Sequence, residues 1–125
     1  MENLENEAKV ARQVRENNTV RLLNKQVRID VNVFKTNIHN SPVHEGLKKR
    51  VFNWLVKNGL SVVCEATFLK GGRADLLVLD PPLAIEVMVS ETQERFEAKD
   101  YPVEKLAVKK LKDVKEAFKD DIGNG

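Results

Sequence analysis

The stretch GGRADLLVLDPPLAIEVMVSET, residues 71–92, decides the fold, because it contains two apolar runs joined by a tight Asp-Pro-Pro turn. Each run is rich in Leu, Ile and Val, as strands in the middle of a sheet are. A connection this short joins antiparallel neighbours rather than parallel ones. The sequence therefore predicts paired strands over residues 74–80 and 83–89.

Each predicted strand carries one acid, Asp75 near the start of the first and Glu86 inside the second. The midpoint between these residues falls beside Pro81 and Pro82, so antiparallel pairing about that turn makes the two carboxylates cross-strand neighbours. Neighbouring carboxylates repel each other and raise each other's pKa unless a cation lies between them. The pair therefore indicates a site for Mg²⁺ or Mn²⁺, with Glu65 on the preceding strand as a further candidate ligand.

An alternative interpretation gives both acids a structural role. Asp75 would pair with Arg73 or cap the turn, and Glu86 would meet a Lys or Arg from a helix. A different fold with structural acids at these positions is also compatible with the pattern. The sequence leaves these interpretations open beside the metal site.

The chain before residue 60 reads as two helices separated by extended segments. Apolar residues at helical spacing predict a helix over residues 2–16 and another over residues 42–58. Ser41 caps the second helix, and Gly59 ends it. Between the helices, alternation in residues 19–34 predicts a β-hairpin or an extended arm.

A strand over residues 61–68 precedes the quoted stretch, and helices follow it. Ser90 begins a short helix through a capping box, and a longer helix covers residues 103–119. The predicted fold class is α/β (α+β), with a central mixed β-sheet flanked by helices. We divide the chain into an N-terminal helix plus β-hairpin or arm, residues 1–40, and an α/β core, residues 41–125.

The composition is that of one globular domain, with 125 residues and 42% hydrophobic residues. The single Cys64 excludes an intrachain disulfide, and the charged start MENLENEAKV lacks the apolar region of a secretion signal, so we expect a cytoplasmic protein. The net charge is only +2, although residues 1–50 hold ten Lys/Arg against six Asp/Glu. This basic half is either a phosphate-facing surface or a solvated one.

An acid opening one strand, a tight turn and a second acid inside the next strand, all preceded by a helix, resemble the PD-(D/E)XK nuclease superfamily. The matching residues are Asp75 and Glu86-Val87-Met88. The segments VHEGLKKRVFNWLVKNG, EATFLKGGRADLLVL and LAIEVMVSET look most like the competence-associated nuclease and Holliday junction resolvase branches. The resemblance covers residues 42–92 and implies a restriction-endonuclease-like core.

The resemblance implies hydrolysis of phosphodiester bonds, with Asp75, Glu86 and the carbonyl of Val87 holding Mg²⁺ or Mn²⁺. The metal of such nucleases binds a phosphate oxygen and lowers the pKa of the attacking water. One position departs from the family pattern. Met88 stands where the motif has Lys, and its thioether can neither orient water nor neutralise charge.

The helix over residues 42–58 offers cations that could replace the missing Lys. On a helical wheel started at Val43, most apolar positions fall between about 0° and 80° and Leu55 falls at about 120°, while His44 and Lys48 fall at about 100° and 140°. Glu45 falls at about 200° and points further away. We therefore expect His44 and Lys48 to complete the site, and a surface role for both is the alternative. Further cationic candidates are Lys70, Arg73, Arg95 and Lys99.

The sequence thus predicts a metal-dependent DNA nuclease with a structure-specific, repair or recombination role on branched or damaged DNA. A domain this small meets two DNA strands most simply as a homodimer, through its N-terminal segment or the helix over residues 103–119. The alternative is an inactive module of the same fold that binds nucleic acid or a protein. The candidate nucleic-acid contacts are Lys48, Lys49, Lys70, Arg73 and Arg95.

Overall fold

The computed structural model describes the backbone of residues 2–122 and the side chains of residues 4–121. Its helices are α1 (Glu2–Val20), α2 (Pro42–Lys57), α3 (Gln93–Ala98), α4 (Leu111–Ala117) and α5 (Lys119–Ile122). Its strands are β1 (Val62–Thr67), β2 (Arg73–Leu79), β3 (Pro82–Val87) and β4 (Glu104–Val108). Within residues 2–122, no helix is both long and apolar enough to cross a membrane.

The strands form one mixed sheet in the order β1-β2-β3-β4. β2 is antiparallel to both β1 and β3, whereas β4 runs parallel to β3. A parallel pair needs a crossover connection, and the segment that contains α3 supplies it. The α+β architecture, with a mixed sheet flanked by helices, confirms the predicted fold class.

Apolar side chains cover both faces of the sheet. On one face, Val51 and Leu55 of α2 pack with Ile85 and with Val114 of α4. The other face forms a second cluster that includes Leu77 and is partly covered by the chain that follows α1. Each fully buried aliphatic side chain contributes about 1.5–3 kcal/mol to folding. Burial on both faces explains why β2 and β3 read as nearly continuous apolar runs.

The start of α2 follows from its capping residues, as predicted. The Ser41 hydroxyl accepts a hydrogen bond from the backbone N–H of His44 at 3.1 Å, and Pro42 occupies the first turn. The helix ends before Gly59, whose φ of 84° suits glycine. This cap fixes the first turn of α2, which carries His44 and Glu45 toward one end of the sheet.

One prediction for the N-terminal segment is wrong, and another is resolved between its two alternatives, a hairpin or an arm. The first helix does not stop near residue 16 but continues as α1 to Val20, because the added turn packs Thr19 on the body of the protein. Residues 19–34 form no hairpin. Leu23 and Val31 instead make single bridges to Phe68 and Val63, so the segment is an arm that follows the edge of β1.

The prediction of a helix over residues 103–119 is also wrong. Its first part is β4, and only the later residues form α4 and α5. The unpaired edge of β3 offers backbone hydrogen bonds to the segment VEKLAV, which also alternates with the period of a strand. The preceding short helix, α3, begins after Thr92 rather than Ser90, because the Thr92 hydroxyl accepts from Arg95 N at 3.2 Å.

One residue of β1, Glu65, has a left-handed φ of 53°. A non-glycine residue in this region stores about 1–3 kcal/mol of strain. Cys64 belongs to the cluster under α2, whereas Ala66 belongs to the cluster on the opposite face. The alternation of side chains therefore shifts by one residue at Glu65, which turns its carboxylate toward Lys48 of α2.

Candidate functional site

The two strand acids, Asp75 and Glu86, meet at the end of β2 and β3, and we call them the carboxylate pair. The ladder pairs Leu76 with Ile85, and continuing this register by one residue pairs Asp75 with Glu86. The Asp75 carboxylate also accepts from the backbone N–H of Val87 at 2.8 Å. The predicted register is therefore confirmed, and it brings the two acids together.

Burial and the charge of Asp75 raise the pKa of Glu86 to about 8. Only 3% of the Glu86 side chain is exposed, so water contributes little to solvating its ionised form. At neutral pH the Glu86 carboxyl therefore carries a proton when no cation is bound. The neighbouring cations therefore do not fully balance the two carboxylates, and a proton on Glu86 removes part of their negative charge.

Tyr101, in the segment before β4, contacts the Glu86 carboxyl group. Its hydroxyl lies in hydrogen-bond contact with Glu86 and 2.9 Å from the carbonyl oxygen of Arg73. A phenol has one proton to donate, and the carbonyl can only accept. The single Tyr101 proton is therefore shared between Glu86 Oε1 and the Arg73 carbonyl, and the hydrogen bond to Glu86 partly opposes the rise in the pKa of that carboxyl. Burial and Glu86 raise the pKa of Tyr101, which keeps the phenol protonated.

Lys99 brings a cation to the carboxylate pair. Its ammonium nitrogen lies 3.5 Å from Glu86 Oε2 and 2.7 Å from Glu91 Oε1. Burial opposes the charged form, but Glu91 and Glu86 raise the pKa of Lys99 overall, so it stays protonated. The Lys99 side chain is 29% exposed and can therefore also reach a ligand in solvent.

His44 is the second basic group beside the pair. Its Nε2 lies 3.3 Å from Asp75 Oδ2, which the cap of α2 makes possible. Its Nδ1 is buried and has no hydrogen-bond partner among the described residues. The structure therefore brings three predicted site residues, His44, Asp75 and Glu86, to one place, and Val87 adjoins them through its backbone.

Lys48, also predicted to serve this site, lies in a separate buried network. Its ammonium contacts Glu65 Oε2 at 3.0 Å, Glu45 Oε2 at 3.4 Å and the carbonyl oxygen of Lys35 at 2.7 Å. Asn37 donates to both glutamates through its backbone and its side chain. We call Glu45, Lys48 and Glu65 the Lys48 cluster.

The two acids of the Lys48 cluster are balanced by Lys48, by amide donors, and by Arg73, whose Nε lies 3.6 Å from Glu65 Oε1. Burial would raise the pKa of Glu45, but hydrogen bonds from Asn40 and Asn37 and the charge of Lys48 lower it overall. None of the Lys48 side chain is exposed, so it offers no surface to a nucleic-acid phosphate. Glu45, which the helical wheel placed away from the site, instead pairs with Lys48. Glu65 points into this cluster, beside the carboxylate pair rather than within it.

Met88 does not face the carboxylate pair as a substitute for the motif Lys. It follows β3, donates its backbone N–H to the carbonyl oxygen of Val108 at 2.8 Å, and is 6% exposed. Its side chain is therefore part of the packed interior, and the cation that reaches Glu86 comes from Lys99 after α3.

A polar cavity of about 220 Å³ opens beside the carboxylate pair. Its lining includes His44, Ser90, Arg95 and Lys99. A neighbouring cavity of about 640 Å³ is lined by Lys70, the Gly71-Gly72 turn, Arg73, Lys99 and Tyr101. Of the predicted nucleic-acid contacts, Arg95 lines the cavity beside the acids, and Lys70 and Arg73 line the neighbouring cavity. Lys49 is exposed on α2 outside both cavities.

The donor set of this site suits a hard divalent cation that keeps open positions. In the part of the chain that the structure describes, no group of three or more His, Cys, Asp or Glu side chains could hold a metal ion. Asp75, Glu86 and the Val87 carbonyl could supply two carboxylates and one further oxygen. Mg²⁺ commonly binds through one or two carboxylates plus substrate phosphates, so the residues fit such a cation without a complete protein cage.

Sequence reasoning missed Tyr101 and placed Lys99 only among several cations. A usable signal was present, because in the extended Lys99-Asp100-Tyr101 segment alternate side chains share one side. What the sequence did not show was that this segment leads into a strand beside β3. Comparison with protein-family models, curated proteins and solved structures finds no match for this chain.

Proposed function

We propose that this protein is a metal-dependent nuclease that hydrolyses phosphodiester bonds of DNA. The observation that carries the proposal is the carboxylate pair, Asp75 and Glu86, in a polar cavity with the ammonium of Lys99 3.5 Å from Glu86. The PD-(D/E)XK resemblance implies two acids and one lysine at the end of adjacent strands, and this site has two acids and one lysine. Lys99 takes the place of the motif Lys that Met88 does not provide.

A bound Mg²⁺ or Mn²⁺ would supply Lewis-acid activation of a phosphate oxygen and of the attacking water. The chain's own groups prepare the site for it. Glu86 would hold the metal as a carboxylate, with its proton lost to solvent, and the hydrogen bond from Tyr101 holds the carboxyl in place. Lys99 is positioned to contact the scissile phosphate or the attacking water.

His44 and the basic border have supporting roles in this proposal. His44 contacts Asp75 at 3.3 Å and holds the carboxylate toward the cavity, while the Val87 N–H fixes the same oxygen at 2.8 Å. Lys70, Arg73 and Arg95 would contact the phosphates on either side of the cleaved bond. The proposed substrate is duplex DNA, including branched or damaged DNA, and the proposed active form is a homodimer. A cytoplasmic location is also proposed, and the single, buried Cys64 supports it.

The test combines metal binding with cleavage. Mn²⁺ is titrated into the wild-type protein and Asp75→Asn by calorimetry, and both are then assayed with linear, nicked and four-way-junction DNA. We expect micromolar Mn²⁺ binding and Mn²⁺-dependent cleavage in the wild type, and loss of both in Asp75→Asn. Glu94→Gln, which removes an exposed acid on α3, is the matched control.

The inactive-module alternative predicts a different result. A wild-type protein that binds these DNAs but cleaves none of them with Mg²⁺ or Mn²⁺ would overturn the nuclease proposal and favour that module. Cleavage that persists in Asp75→Asn would place the activity elsewhere.

A further inference from the structure

α1 presents its polar side to the body of the protein. The Arg12 guanidinium donates to the carbonyl of Gly59 and pairs with Glu16 at 3.0 Å. One turn later, the Thr19 hydroxyl donates to the carbonyl oxygen of Leu79 at 2.7 Å. Glu16 and Thr19 are the buried polar residues of this helix. The side of a helix that faces a core is normally its apolar stripe, whereas these contacts of α1 are made by polar side chains.

The apolar stripe of α1 faces solvent. Relative to Leu4 on a helical wheel, Ala8, Ala11 and Val14 lie at about 40°, −20° and −80°, whereas Glu16 lies at about 120°. Leu4 is 69% exposed and Val14 is 52% exposed, although both are apolar. The centre of the stripe therefore lies roughly a quarter turn from the residues that hold α1 to the body of the protein, and its apolar side chains remain exposed.

The stripe also belongs to the part of α1 that has little tertiary support. Residues 4–15 are all exposed, and the first buried residue is Glu16. Isolated helices of this length are marginal in water, because packing supplies most helical stability in proteins. A surface that covers the stripe would stabilise these three turns.

The charges on the stripe distinguish the possible arrangements of a second copy. Glu7 and Arg15 lie on or beside it, four residues before and four residues after Ala11. In an antiparallel pair of α1 helices that cross at Ala11, Glu7 of each copy faces Arg15 of the other. In a parallel pair with the same register, Glu7 would face Glu7 and Arg15 would face Arg15. Antiparallel pairing is therefore complementary, and the parallel arrangement is repulsive.

The side chains at the crossing also permit close approach. Ala8 and Ala11 are small, and antiparallel pairing about Ala11 sets Ala8 against Val14. Arg15 already pairs with Asp80 at 3.1 Å, but its side chain is 57% exposed and can reach a second carboxylate.

We propose that α1 is a homodimerisation helix, whose solvent-facing stripe packs antiparallel on the same stripe of a second copy with the crossing at Ala11. The arrangement is isologous, so each contact occurs twice. This inference rests on α1 alone and does not require the carboxylate pair to be catalytic.

Cysteine cross-linking tests the pairing and its direction. Cys64 is buried, so an introduced cysteine is the reactive thiol under mild oxidation. We expect Ala11→Cys to form a disulfide-linked dimer, and Gln13→Cys, an exposed position off the stripe, to stay monomeric on a denaturing gel. A mixture of Leu4→Cys and Asn18→Cys should form the mixed dimer, because these positions lie seven residues on either side of Ala11.

Other outcomes contradict the proposal. Efficient linking of Leu4→Cys to itself would indicate parallel pairing, and equal linking of Ala11→Cys and Gln13→Cys would indicate random collisions. Sedimentation equilibrium gives the independent measurement. Val14→Glu should raise the dimer dissociation constant at least about tenfold, because it places a charge in the contact. A wild-type protein that sediments as a monomer at 100 µM would overturn the inference.

Discussion

The carboxylate pair and the Lys48 cluster contain similar groups, two acids with a lysine nearby, but they differ in how the charge is balanced. In the Lys48 cluster the ammonium is fully buried between Glu45 and Glu65, and amide donors from the 37–40 loop complete the balance. In the carboxylate pair, Glu86 keeps a proton and its pKa rises to about 8. A neutralised cluster holds a fold together, whereas an incompletely neutralised one next to a cavity is prepared to bind a cation.

Helix α2 and the strand pair β1–β2 each place residues at both clusters. His44 and Lys48 lie one turn apart on α2, and each contacts one cluster. Glu65 and Asp75 lie on neighbouring strands, and the strained backbone at Glu65 turns its side chain to α2. The Lys48 cluster therefore anchors α2 against β1, and this anchoring also sets the distance between His44 and Asp75. Strain of this kind persists where the surrounding structure fixes it.

The largest effect should come from Asp75→Asn, which affects the carboxylate pair alone. We expect the rate of Mn²⁺-dependent DNA cleavage to fall by about 10³-fold or more, because the proposed metal ligand loses its charge. Asparagine retains an oxygen that accepts from Val87 N–H, and it removes repulsion with Glu86. The melting temperature should therefore stay equal or rise, as measured by calorimetry of the metal-free protein. A variant that unfolds would assign Asp75 a structural role instead.

Lys48→Met should produce the converse result. Removing the ammonium leaves Glu45 without a cation and Glu65 with only the half-exposed Arg73, 3.6 Å away, which costs about 3–5 kcal/mol. Urea unfolding followed by circular dichroism measures this loss. Lys49→Met, one residue along α2 and exposed, is the matched control and should change the free energy of unfolding by less than about 0.5 kcal/mol. Equal stability of Lys48→Met and the wild type would contradict the division between the two clusters.

Lys99→Met tests whether Lys99 serves as the missing motif Lys. We expect the cleavage rate to fall by about 10²–10³-fold, because a positioned cation next to developing negative charge is lost. Lys70→Met is the control, since Lys70 borders the neighbouring cavity and makes no ion pair with Glu86 among the described contacts. It should weaken DNA binding with little change in the rate at saturating DNA. If the two variants had similar kinetic effects, Lys99 would be a general phosphate contact and not the substitute for the motif Lys.

Some of the positions used in these predictions could be placed from the sequence, and others could not. The pairing of Asp75 with Glu86 followed from the short turn between two apolar runs, because turn length fixes antiparallel register. The cap of α2 placed His44 correctly for the same local reason. The segment VEKLAV alone does not determine β4, because short apolar runs satisfy both helical and strand periods and the edge of β3 decides between them.

Two errors about the site have the same origin. Lys48 and His44 occupy similar flanks of the α2 wheel, yet they contact different clusters, because the shift in side-chain alternation at Glu65 is invisible in the sequence. Lys99 and Tyr101 reach Glu86 only because β4 lies parallel to β3 and its connection passes the end of the sheet. Both depend on contacts between segments distant in sequence, which local patterns do not encode.

The last prediction, the pH dependence of stability, compares the charge states of the two clusters directly. The pKa of Glu86 rises from its ordinary value of 4.5 to about 8 in the folded protein, chiefly through burial and then through Asp75. Between these values the unfolded chain releases a proton that the folded chain keeps, so rising pH favours unfolding. The free energy of unfolding of the metal-free wild type should fall by about 1.4 kcal/mol per pH unit in this range and level off above pH 8.

Glu86→Gln isolates this contribution, because glutamine cannot ionise and retains a similar shape. Urea unfolding of both proteins in a chelator, from pH 5 to pH 9, should show the wild type losing stability relative to the variant as pH rises to about 8. The Lys48 cluster contributes no comparable loss, since the pKa of Glu45 is lowered and that carboxylate is already ionised throughout this range. If the two stability curves stay parallel from pH 5 to pH 9, Glu86 is ionised in the folded protein. Lys99 and Tyr101 would then balance it as Lys48 balances Glu45, and the distinction between the clusters would fail.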